Sequence, residues 1–440
     1  MSGTNRKRIG LLVALAALGW AKAASAEVML VTTPGGLEFY TEGRLGAFFE
    51  AVTGQTLPTS FDSNGVPTHG IGDGGIPIGG VTPMVGTMGG NVQGTVNTSR
   101  VRSGFMSNVL AFGLRKKLTE RTTVRGYFSI WADIETENER AYYAMVPDVR
   151  EGYLKIEGPG GGFLAGRSLT LFSRGATEID FLYGHRYGVG NPAGFSTQGP
   201  SGGFVGFGVL AATFTAGLVY NTPSLAGLML TVGYYDPARF VGLYYERTEW
   251  GRVEAELTYD HALGDLGKIH LFANGAYQKV YANDSSRSAD IVGGGLGGRL
   301  ELSIFRLGVA AHSGQGLGFA YALDGSTANF EVDHTQEVRK FDGLYAQTMF
   351  VIHRVDLSLG AGITRVHEVP ADVDPQFFLA TNGSPPLSVL KQRVGIAGAV
   401  VYHLTDYLHL DVDYFRASME WWLGEKQVVN TYNAGVTFTW

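Results

Sequence analysis

The 440-residue chain contains no cysteine, which excludes disulfide frameworks and thiolate metal sites and suits export into an oxidising compartment. It also lacks a strong charge of either sign. With 34 Lys and Arg against 40 Asp and Glu, the formal charge is -6, so the basic field that nucleic-acid binding needs is missing. There is no domain-sized internal repeat. Beyond residue 18 no apolar run approaches the ~20 residues that a spanning helix requires, although 45% of the residues are hydrophobic and 12% aromatic. The apolar residues must therefore be spread by alternation, as in strands with one greasy and one wet face.

The two ends of the chain give that pattern a setting. Tyr432, Ala434, Val436, Phe438 and Trp440 alternate with Asn433, Gly435, Thr437 and Thr439, and the chain stops on the aromatic residue. Lipid is the natural solvent for such a face, and a bilayer accepts strands only in a closed barrel, because an open edge leaves unpaired N–H and C=O groups in hydrocarbon. Tyr432, Phe438 and Trp440 are expected on an aromatic girdle that serves insertion. At the other end Arg6, Lys7 and Arg8 precede an apolar stretch over residues 9–18, and Ala24-Ser25-Ala26 precedes Glu27. This predicts a cleaved secretory leader over 1–26 and a fold confined to 27–440.

Alternation predicts sixteen strands, at residues 37–45, 105–114, 123–133, 152–157, 163–167, 207–220, 228–235, 252–261, 268–281, 291–303, 306–313, 343–353, 355–365, 393–403, 408–416 and 429–440. Connections after the even strands are a few residues long, and those after the odd strands are mostly longer and polar. Short turns at one rim and long loops at the other are the arrangement of outer-membrane barrels. Residues 53–100 and 168–203 do not alternate and are too long for compact connections unless they are functional. Glu254, Glu256, Thr258 and Asp260 share one face of their strand, as do His409, Asp411 and Asp413. Unpaired charges are costly in a packed core, so these faces are expected to line a water-filled lumen. The expected fold is all-β, a transmembrane antiparallel β-barrel of about sixteen strands with long external loops.

The terminal strand 432–440 and the hairpin Arg150-Glu151-Gly152-Tyr153-Leu154-Lys155 with Gly162-Phe163-Leu164-Ala165-Gly166-Arg167 resemble the general bacterial porins, a trimeric sixteen-stranded family. As a pattern the resemblance covers nearly all of the mature chain. Two departures are the terminal Trp where Phe is usual and the lack of an acidic Pro-Glu-Phe-type motif in the loop that follows the hairpin. The resemblance implies that residues 168–203 fold into the lumen and narrow it. It also implies an outer-membrane homotrimer, in contact with lipid and inserted by the barrel-assembly machinery, that passes small hydrophilic solutes and ions passively without catalysis, cofactor or metal. Gly43, Ala47, Gly113 and Gly126 on the early strands would allow flat packing between barrels. Face parity puts Arg44, Arg125, Arg167 and Arg393 on the lumen wall, and Glu178 and Asp180 are the only acids of the inserted segment. A transverse field between that segment and an arginine wall is expected, with pairing of the two acids to Arg174 or Arg186 as the alternative.

Other readings have weaker support. A substrate-preferring channel for an anion or sugar calls for a basic ladder or an aromatic slide; a barrel enzyme needs a Ser/His or paired-carboxylate constellation; an adhesin needs a plugged lumen. Gly199-Pro200-Ser201-Gly202-Gly203 matches G-x-S-x-G but lacks the strand-to-helix context of a nucleophile elbow. The glycines between Gly293 and Gly298 match G-x-G-x-x-G, yet strand alternation continues through Arg299 and Glu301 where a dinucleotide site would open a helix. His403 and His409 are expected across a turn as lumen or rim residues, and Asp372 and Asp374 as solvated acids of an external loop.

Overall fold

The computed structural model describes residues 27–55, 59–61, 67–71, 95–103, 108–132, 148–181, 203–210, 213–238, 247–284, 286–317, 338–368, 387–388, 390–422 and 424–440. The predicted leader, Ser201, Arg186, Asp372 and Asp374 lie outside these residues. The strands are β1 (Val28–Thr32), β2 (Leu37–Gln55), β3 (Thr59–Phe61), β4 (Pro67–Ile71), β5 (Thr95–Arg102), β6 (Asn108–Thr119), β7 (Thr122–Ala132), β8 (Asp148–Gly158) and β9 (Gly161–Leu169). A short helix, α1 (Arg174–Ile179), follows. After it come β10 (Phe214–Asn221), β11 (Leu228–Tyr235), β12 (Arg252–Ala262), β13 (Gly267–Tyr281), β14 (Ser288–Leu302), β15 (Phe305–Gln315) and β16 (Lys340–Ile352). The last are β17 (Val355–Val366), β18 (Leu387–Ser388), β19 (Leu390–His403), β20 (Leu408–Trp421) and β21 (Lys426–Thr439).

Each wall strand pairs antiparallel with the next, and β21 pairs back onto β2, which closes the sheet. β5 and β6 lie end to end along β2 and count as one staved position, so the closed wall has sixteen positions. β1 adds a short hairpin arm to the exposed edge of β2, beyond the point where Trp440 ends the last strand. Gly43 and Trp440 exchange both backbone hydrogen bonds, at 2.8 and 3.0 Å. A Cβ on Gly43 would sit 2.4 Å from the Trp440 ring, so the indole covers that glycine while it stacks on Phe438 at 5.9 Å. β3, β4 and β18 form a separate small sheet among the long loops.

The strand period of two sorts the side chains. On β11 to β13 the outward set is Leu230, Val232, Val253, Leu257, Leu271 and Tyr277, all 41% exposed or more. The inward set on β12 is Glu254, Glu256 and Thr258, all buried. Leu45, Phe49, Phe112, Leu154, Leu296, Leu359, Val412 and Phe438 continue the apolar belt. In water this would be an apolar patch far larger than soluble proteins carry, whereas in a bilayer it is the required surface. The packed core is accordingly inside the barrel, between the inserted segment and the wall, and comprises Phe172, Ile179, Phe204, Phe207, Phe272, Tyr345 and Phe415 among others.

Four details differ from the sequence expectation. The sixth wall strand begins at Phe214, and 204–210 belong to the inserted segment: Gly203, Gly206 and Gly208 have φ of 54°, 80° and 107°, which breaks the extension that the apolar composition suggested. Residues 95–102 are strand although they fell in the non-periodic stretch. Arg167 stands opposite Gly152 and Ala216 in the row of Leu154 and Phe163, on the outer face and not in the lumen. Gly113 faces inward beneath the Tyr40 ring, whose Cζ lies 1.9 Å from where a Cβ would be, so it takes no part in an outer packing face.

Candidate functional site

The lumen is organised by the segment after β9. It crosses the barrel because acids on β12 hold its start: Glu254 accepts from the Phe172 amide at 2.7 Å and from Arg252 Nε at 2.6 Å, and Glu256 accepts from Arg174. These carboxylates are not washed by lumen water as the alternation had suggested; they are buried but paired, the condition under which buried charge is tolerated. The Ser173 hydroxyl donates to the Leu210 carbonyl at 2.5 Å, which ties the start of the segment to its end.

Helix α1 then carries the chain to a second anchor. Tyr345 on β16 donates to the Ala176 carbonyl at 2.5 Å. Asp180, 1% exposed, accepts from Gln347 Nε2 at 2.7 Å and from the Phe204 amide at 2.9 Å, while Gln347 Oε1 accepts from the Phe181 amide at 2.9 Å. Residues 203–210 lie against β16, β17, β19 and β20. Phe204 stacks on Tyr345 at 5.7 Å, Phe207 meets Phe415 edge-on at 5.1 Å, and the Gly208 amide donates to Thr364 Oγ1 at 2.8 Å. Close approach is possible because the inward residue of β17 at this level is Gly362, where a Cβ would sit 1.9 Å from the Phe207 carbonyl oxygen. Burying Phe204 and Phe207 contributes on the order of 1.5–3 kcal/mol each.

The opposite side is different. The inward faces of β2, β7 and β8 bring together Tyr40, Glu42, Arg125, Tyr127, Glu151, Tyr153 and Lys155, which with Glu27 line a recess of about 370 Å³. Tyr127 and Tyr153 stack at 5.2 Å, and the Tyr127 hydroxyl donates to Glu42 at 2.7 Å. Arg125 and Lys155 reach Glu157 at 3.3 and 2.8 Å, yet the three side chains keep 40%, 32% and 39% of their surface exposed. Ionisable groups with that exposure on an inward face are solvated by lumen water.

The residues predicted to form the constriction are therefore dispersed. Arg44 faces inward on β2 and is buried. Arg393 on β19 is 1% exposed, with its guanidinium 5.8 Å from the Phe207 ring, so it does meet the inserted segment. Arg125 lies three residues from the short turn before β7, in the recess. Arg167 lies outside the barrel. Glu178 sits 3.9 Å from Arg174, the alternative pairing, and Asp180 is a buried strut. Tyr432 and Phe438 project outward with half their surface exposed, beside Trp440. His403 and His409 do meet, Nδ1 to Nδ1 at 3.0 Å, and His403 Nε2 donates to Asp356 at 3.0 Å at the short-turn rim. The anchors Glu254, Glu256, Gln347 and Thr364 were missed as such, although their inward parity was legible. Tyr153 and Lys155 were not predicted, although they share one face of their hairpin strand and alternate with Leu154 on the other.

No family model matches the sequence, and no curated protein matches it. Solved structures match in fold. The outer membrane channel DcaP of Acinetobacter baumannii aligns with a TM-score of 0.60 at 12% identity, over 93% of this chain and 99% of that one. An anion-selective porin from Comamonas acidovorans gives 0.57 at 12% identity, over 92% and 100%. Salmonella typhi OmpF, in complex with daunomycin, gives 0.51 at 10% identity, over 94% and 100%. The chain has the sixteen-stranded porin-type fold.

Proposed function

We propose that the protein is a passive diffusion channel for small hydrophilic solutes and ions in a bacterial outer membrane, made with a cleaved leader over residues 1–26 and assembled as a homotrimer. The observation that carries this reading is the asymmetry of the lumen: the inserted segment is fastened to the wall from β12 to β20, while the inward faces of β2, β7 and β8 carry solvated charges nearer the short-turn rim. A water path bordered by fixed charges of both signs passes hydrated solutes and disfavours apolar ones. The channel activity of the structural relatives supports the same reading. The trimer rests on the resemblance alone; a particle of monomer size in mild detergent would remove it from the proposal.

Purified protein in a planar bilayer tests it. Discrete, voltage-independent current steps are expected. Arg125→Ala should move the reversal potential in a salt gradient towards cations, because it removes a positive group bordering the water path. Arg167→Ala, on the outer face, should leave the potential unchanged. A shift with Arg167→Ala and none with Arg125→Ala would place the path elsewhere.

A further inference from the structure

The closing seam of the barrel carries a group of oxygen atoms that the water path does not explain. Asp411 and Asp413 are successive inward residues of β20, about 7 Å apart along the strand, and are 1% and 4% exposed. Asn433 on β21 stands opposite Asp413 and donates Nδ2 to Asp413 Oδ1 at 2.8 Å. That bond fixes the amide, whose carbonyl oxygen stays buried beside Asp413 without a partner. Both oxygens of Asp411, Oδ2 of Asp413, Oδ1 of Asn433 and the hydroxyls of Thr431 and Thr437 are buried without a hydrogen-bond partner. The two threonines, fully buried, lie six residues and about 20 Å apart along β21, and the Phe48 ring covers Gly435 between Asn433 and Thr437, so their hydroxyls do not meet at one point.

Native interiors rarely leave so many acceptors unsatisfied, and two adjacent buried carboxylates repel unless a positive charge lies between them. The charged groups around them are Arg44, near Asp411, Glu50, near Asp413, and His409, the preceding inward residue of β20. Arg44, Glu50 and His409 have interactions of their own. A single shared proton would satisfy one contact of the acid pair and none of the neutral oxygens. A cation between the two carboxylates takes oxygen from both and from the Asn433 amide, with water completing its shell.

We propose that Asp411, Asp413 and Asn433 hold a hard divalent cation, Ca²⁺ or Mg²⁺, on the lumen wall. The donor set is all oxygen, carboxylate with amide carbonyl, which selects these ions over those that prefer nitrogen or sulfur. Two carboxylates, with no third acidic or imidazole ligand in a cage among the described residues, set a modest affinity, on the order of the 10⁻⁴–10⁻³ M of extracellular calcium sites. Because β21 pairs with both β20 and β2, the ion would brace the junction of the last strands with the first.

The test uses the full chain refolded in detergent without lipopolysaccharide, stripped with a chelator and titrated with CaCl₂ or MgCl₂ in a calorimeter. One ion per chain is expected, together with a higher temperature for conversion of the folded to the unfolded gel band. The double variant Asp411→Asn, Asp413→Asn should still fold, lose the ion and lose its effect on that temperature; Asn433→Ala should weaken uptake about tenfold. Absence of uptake by the wild type overturns the proposal and leaves the carboxyls sharing a proton. Equal uptake by wild type and double variant also overturns it, since the ion then sits elsewhere; if the double variant does not fold, unaltered uptake by Asn433→Ala overturns it alone. Uptake is measured without current, so its failure is distinct from failure of the channel reading.

Discussion

Gly362→Val should release residues 203–210 from the wall while leaving the barrel closed. The new Cβ would fall 1.9 Å from the Phe207 carbonyl oxygen, and a hydrogen-bonded wall strand has little room to retreat, so the segment must move. Losing the seats of Phe204 and Phe207 forfeits roughly 3–6 kcal/mol of burial, against about 1 kcal/mol for the Gly208 to Thr364 hydrogen bond and about 1.5–3 kcal/mol for that of the Phe204 amide to Asp180. On the proposed channel reading the segment borders the water path, and its release should turn steady current steps into noisy ones with frequent closures. It should also make 203–210 cleavable by added protease while the heat-modifiable gel band persists. Steady current with a protease-resistant segment would mean that the glycine seat does not hold it.

Trp440→Asp should abolish accumulation of the folded barrel, and Trp440→Phe should preserve it. The indole is the outward cover over Gly43 and the partner of Phe438 at the point where the last strand meets the first. A carboxylate there sets charge at the lipid interface, at a cost of ~1 kcal/mol or less, and uncovers the seam between the last strand and the first. The measurement is the fraction of heat-modifiable protein in outer-membrane preparations, and a normal fraction for Trp440→Asp would contradict the account.

The wall was legible in the sequence because its causes are local. Alternation along 252–261 or 408–416 needs only a period of two, and turns such as 404–407 need only a few residues, so all sixteen strand positions could be located. The inserted segment was legible as an interruption but not in its extent, since the composition of 204–210 is that of a strand and only the backbone of three glycines makes it otherwise. The site was less legible. Parity was enough for Arg44, Arg125 and Arg393, and it failed at Arg167, where the strand from Gly161 is short and Gly166, at φ 135°, gives little side-chain pattern to fix the phase. The anchoring of Glu254 by the Phe172 amide, or of Asp180 by Gln347, depends on residues 82 and 167 positions apart. No spacing rule reaches so far.

The absence of cysteine makes the most direct measurement a clean one, because a single introduced thiol has no background. Lys155→Cys places the thiol on the inward wall beside the recess, and Leu154→Cys places one on the neighbouring outward position. A small anionic methanethiosulfonate added to either side of a bilayer should lower the single-channel current of Lys155→Cys and shift its reversal potential towards cations, and should leave Leu154→Cys unchanged. An unmodified current through Lys155→Cys, or equal effects at both positions, would contradict a water path running between the inserted segment and the wall of β2, β7 and β8.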